Sequence, residues 1–116
     1  MNCWENKAFW IELDALVQKS EIIIDRPMGA SHPRYPGLIY PLDYGYLKNT
    51  KSSDGAEIDI WIGESPVERT DAVMCILDTH KRDSEIKVRY RCTHENMQEI
   101  YRIHNSEGVH GILIER

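Results

Sequence analysis

Asp54 and Asp59 bracket the segment DGAEID, and Tyr40 and Tyr44 stand just upstream in YPLDYGY. Carboxylates and phenols this close together suit two complementary tasks. Hard divalent cations such as magnesium take carboxylate oxygens and keep several waters. Asp25, Asp54, Asp59, Asp78, Asp83 and Glu85 are the candidate ligands for such an ion. Guanidinium and ammonium groups pair with phosphate oxygens, and phenolic hydroxyls donate to the same oxygens. Arg34, Lys87, Arg102, Tyr40, Tyr44 and Tyr101 are the candidates for that role. Asp59 makes the strongest case. It lies inside the apolar run IDIWI, on the face opposite Ile58, Ile60 and Ile62, where a carboxylate away from water is costly unless it is paired. The alternative is a solvated strand face for Asp59 and rim packing for the tyrosines. The histidines lack metal-ligand spacing and read as surface or loop residues. Met and Trp read as core or interface.

These side chains need elements to hold them. Residues 5–19 predict a helix, with Phe9, Trp10, Leu13, Leu16 and Val17 on one apolar face. EIIIDRP predicts a buried strand ended by Pro27. MGASHPRYPG is a loop, residues 38–47 a short strand with a turn at Gly45, and NTKSSDG another turn. EIDIWIG and AVMCIL predict strands. In EIKVRYR, Ile86, Val88 and Tyr90 point inward and Lys87, Arg89 and Arg91 outward, after the polar hairpin loop DTHKRDS. Thr93 is placed to cap a helix over residues 94–104, with Met97, Ile100, Tyr101 and His104 on one side. GVHGILIE closes the chain as a strand. Short strands and a helix near each end predict a mainly β, α+β fold: a small closed or partly closed OB-like barrel. The polar candidates fall at turns and strand ends, where a barrel mouth gathers them.

The 116 residues fit one domain, 1–116, with a sizeable core. A net charge of −5 argues against general nucleic-acid or membrane binding. Three widely spaced cysteines, Cys3, Cys75 and Cys92, form neither a disulfide framework nor a zinc pattern and read as reduced thiols in a cytoplasmic protein. The first residues carry no signal-peptide run, and no stretch reaches the ~20 apolar residues of a membrane span.

In this order along the chain, the sequence resembles a soluble inorganic pyrophosphatase of the single-domain β-barrel family, over about residues 21–104. YPLDYGYLKNT is similar to the family's Tyr-Pro-x-Asn-Tyr-Gly signature and aligns Tyr40 and Tyr44; DGAEID, at the right distance, resembles its Asp-Gly-Asp-Pro-x-Asp motif and aligns Asp54 and Asp59 with metal-binding aspartates. IIIDRP places Asp25 at an active-site glutamate, and PRY places Arg34 at a phosphate-binding lysine. DSEIK suggests Glu85 and Lys87, and Tyr101–Arg102 resembles a Tyr-Lys pair. Asp78 stands for the remaining metal aspartate, although a gap-free register puts His80 there.

The resemblance implies magnesium-dependent hydrolysis of pyrophosphate to two phosphates by a metal-activated water, with Asp59, Glu57 and Tyr44 in the catalytic group. It also implies a homo-oligomer. Three departures stand against it. Ala56 replaces the aspartate that serves as base and Glu57 replaces proline; the hairpin between Tyr35 and Tyr40 is short and lacks a substrate-binding arginine, which Arg26 is available to replace; Pro36 replaces an acidic residue. The alternatives are a hydrolase of another diphosphate, of nucleotide type, and a phosphate- or metal-binding module without catalysis.

Overall fold

The structure, a computed structural model, describes residues 6–106 and 108–116. Glu5 and Cys3 lie outside the described residues. Helix α1 spans Lys7–Lys19, followed by β1 (Ile22–Arg26), β2 (Asp43–Leu47), β3 (Ile58–Ile62), β4 (Thr70–Asp78), β5 (Asp83–Tyr90), α2 (His94–Ile103) and β6 (Val109–Glu115). The strands form one sheet in the order β1-β2-β3-β5-β4-β6. All neighbours run antiparallel except β3 and β5. β1 and β6 are its two edges, so the OB-like sheet is partly open. No described helix is long and apolar enough to cross a membrane.

Each face of the sheet is covered by one helix. On one face Trp10, Leu13 and Val17 of α1 bury against Leu47, Ile60, Val73 and Val88. This is the apolar stripe expected of the helix, except that Phe9 is exposed. Asp14 tethers α1 by accepting the Thr70 amide at 2.9 Å and hydroxyl at 2.6 Å, and Arg116 Nη1 at 2.7 Å. On the other face Tyr40, Leu42 and Trp61 pack with Cys92 and Ile100. Thr93 caps α2 as expected, in a reciprocal box with Asn96: Asn96 N donates to the Thr93 hydroxyl at 3.1 Å, and Thr93 N to Asn96 Oδ1 at 3.0 Å.

The structure corrects three expectations. Lys87 and Arg89 are buried, at 8% and 0% exposure, not solvated. The alternation of β5 fits a one-sided sheet, whereas α2 covers its second face. Gly45 lies inside β2 and forms no turn: a Cβ there would stand 1.8 Å from the Ile23 carbonyl oxygen, so the glycine permits close backbone approach of β1. β1 is an edge strand and only half-buried, with Ile24 exposed.

Candidate functional site

Register sets the polar group. Tyr44 lies opposite Trp61, and Tyr46 opposite Asp59. Asp59 in turn pairs with Lys87 across the parallel β3–β5 ladder. Directly paired residues share a face, and Glu85 shares that of Lys87 by the two-residue period. Lys87 Nζ donates to Tyr44 Oη at 2.6 Å and Asp59 Oδ2 at 2.7 Å, and lies 3.2 Å from Glu85 Oε1. Those three contacts match the three donors of an ammonium. Burial alone would lower the Lys87 pKa; Tyr44, Asp59 and Glu85 outweigh it and raise it. Burial raises the Tyr44 pKa, which keeps the phenol neutral. Burial also raises that of Glu85, with Asp59 and Asp54 acting in the same direction against Lys87.

A second cation stands beside the first tyrosine. Arg26 Nη1 donates to Tyr40 Oη, and its guanidinium carbon lies 5.5 Å from the Tyr40 ring centroid and 6.0 Å from that of Tyr44. The two rings are 5.5 Å apart. A bulge makes this possible: Ile24 pairs with Gly45, but Arg26 pairs with Tyr44. Strict alternation would leave Arg26 on the face of Ile24; the extra residue turns it to the tyrosine face. His32 stacks on Tyr40 at 6.1 Å.

Sequence reasoning missed His104. Its Nε2 accepts the Trp61 Nε1–H at 3.1 Å, so it is a buried residue and not a surface one. Burial, with the Lys87 and Arg89 charges, pushes its pKa down to about 3. The helical spacing of Met97, Ile100 and His104 was the available signal.

The remaining candidates do not join this cluster. Asp54 accepts the Ala56 amide at 3.0 Å in its own turn; Ser53 bonds the Ser84 carbonyl and holds that loop against β5. Ala56 is exposed and Glu57 half-buried just before β3. Asp78 accepts its hairpin amides from His80 at 3.0 Å and Lys81 at 2.9 Å, which lower its pKa. Asp83 pairs with Asp78 at the hairpin end. Asp25 and Arg34 are exposed. Tyr101 and Arg102 line a separate groove of about 550 Å³ with His94, Met97, Leu113 and Glu115.

The carboxylates are of the right chemistry for magnesium, yet among the described residues no three His, Cys, Asp or Glu side chains gather to hold one ion. The six-carboxylate set is therefore not assembled, because three of its members sit at hairpin turns and an edge strand. Asp59 and Glu85 do converge, on the Lys87 ammonium, at 2.7 and 3.2 Å.

No protein-family model matches this sequence, and no curated protein matches it. Its fold is similar to the crystal structure of an inorganic phosphatase from Anaplasma phagocytophilum, with a TM-score of 0.56 at 13% identity over 81% of each chain. That likeness is one of fold alone.

Proposed function

We propose that this chain is a divergent diphosphate hydrolase of the inorganic pyrophosphatase type, taking magnesium together with its substrate. One observation carries the reading: two tyrosine hydroxyls on one face each accept a hydrogen bond from a cation, Arg26 to Tyr40 and Lys87 to Tyr44. A phenol oxygen occupied as acceptor still carries an O–H that can donate; that of Tyr44 has Asp59 beside it as an acceptor, which a bound magnesium ion would draw away. Two cations and two such hydroxyls make a donor set suited to phosphate oxygens. The phosphatase with the similar fold supports the same direction.

In this reading Asp59 and Glu85 would hold the magnesium ion, which supplies charge neutralisation to the phosphates. Lys87, relieved of a carboxylate, turns a donor to a phosphate oxygen. Tyr44 Oη–H and Arg26 steady the leaving phosphate as its charge develops. Glu57 shares the sequence parity of Asp59 and is the carboxylate available to take a proton from the attacking water.

A phosphate-binding module without catalysis is the second reading. Exposed Ala56 in the base position and the missing third metal carboxylate favour it. Phosphate release from pyrophosphate with magnesium, run beside a panel of nucleoside diphosphates, separates the two. Release from pyrophosphate supports hydrolysis; binding with no release from any diphosphate supports the module.

A further inference from the structure

Arg89 is wholly buried on the same face as Lys87, two residues further along β5 and opposite Trp61. It donates from Nη1 to the Met97 carbonyl at 3.2 Å. Its Nε and Nη2 have no hydrogen-bond partner among the described residues, and none of the ion pairs among them includes it. Burial lowers its pKa to about 10, which leaves it cationic at neutral pH. A charge withdrawn from water without a counter-ion is unfavourable, and in a poorly solvated interior its field reaches farther than at the surface. Successive residues on one face of a strand stand ~7 Å apart, so that field overlaps the Lys87 cluster. His104 feels both cations.

We propose that Arg89 is a buried electrostatic determinant of the Lys87 site, selecting the more highly charged of two phosphate anions without touching either. The inference rests on the proposed phosphate site and narrows its ligand to a multiply charged one, a diphosphate over orthophosphate.

The experiment is calorimetric titration of wild type, Arg89→Met and Arg89→Lys with methylenediphosphonate, a diphosphate that cannot be hydrolysed, and with orthophosphate, both in magnesium, alongside urea unfolding. Arg89→Met is expected to weaken diphosphonate binding about tenfold and orthophosphate about threefold, because the loss scales with ligand charge. Its urea midpoint is expected to hold or rise, and Arg89→Lys to recover most of the affinity. Equal losses for both anions with a lower midpoint would mark a packing residue and overturn the proposal. Unchanged affinity in Arg89→Met, with Lys87→Met still abolishing binding, would overturn it and leave the site intact. No binding of either anion by wild type under any condition would sink the site itself. If Arg89→Met does not fold, Arg89→Gln makes the same neutral comparison.

Discussion

At the scale of single residues, Ala56 and Lys87 give opposite kinds of test. Ala56→Asp puts a carboxylate where the resembled family has its base, and general-base assistance is worth ~10²–10⁴ in rate. If the pocket lacks only that group, pyrophosphate hydrolysis rises by an amount in this range, reduced by repulsion from Asp59 and Asp54. If Glu57 already serves, Ala56→Asp changes little and Glu57→Gln abolishes activity. A measurable wild-type rate untouched by both substitutions removes both assignments. Lys87 carries structural weight as well: its three partners lie within 3.2 Å. Lys87→Met leaves two half-buried carboxylates facing each other, with an expected loss of roughly 2–4 kcal/mol in urea unfolding and no anion binding by calorimetry. Unchanged stability would mean that solvent already screens the pair.

At the scale of elements, β1 and α2 each depend on one position. Gly45→Ala drives a Cβ into the Ile23 carbonyl. The expected cost is at least about 3 kcal/mol, with amide protection lost in β1 first, as a severe backbone clash lies in the large tail of mutational effects. Protection of β1 equal to wild type would show that the strands absorb the side chain. His104, the C-cap residue of α2, makes stability depend on pH. The folded protein holds it neutral down to about pH 3, whereas the unfolded chain takes up a proton below about pH 6.5. The unfolded state binds more protons between those values, so stability falls as pH falls through that window, by about 3–5 kcal/mol in full. His104→Gln keeps an acceptor for Trp61 and is expected to flatten the profile between pH 6.5 and 5. A slope identical to wild type there would place the dependence elsewhere.

At the scale of the molecule, ligand, metal and assembly meet. In the proposed reading Asp59 and Glu85 would bind a lone magnesium ion weakly. Thermal unfolding is therefore expected to shift little with magnesium alone and strongly with magnesium and pyrophosphate together, by about 2.7 kcal/mol at a hundredfold excess over Kd. Asp59→Asn should remove most of that joint increment; an unchanged shift would take Asp59 out of the site. The homo-oligomer implied by the resemblance has exposed apolar side chains to draw on, among them Ile11 and Ile112. Light scattering giving one species at 13.5 kDa would end that expectation.

Much of the fold was legible because it rests on local patterns. The stripe of α1, the Thr93 cap and the alternation of β3 each follow from a few neighbouring residues. Tyr40, Tyr44, Asp59, Glu85 and Lys87 were also legible as residue types at suggestive spacings, though not the ionic cluster that Lys87 centres. What the tertiary structure decided is the second face of the sheet. Whether Lys87 and Arg89 meet solvent or protein depends on where α2 lands, and no property of the β5 sequence encodes that. The bulge that turns Arg26 toward the tyrosines arises in the pairing of β1 with β2, so it is invisible to the period of either strand alone. The carboxylates Asp25, Asp78 and Asp83 have the right chemistry for a metal, but Asp25 lies on an edge strand and Asp78 and Asp83 meet only each other at a hairpin end; a ligand set is a matter of distance in space, which spacing along the chain does not determine.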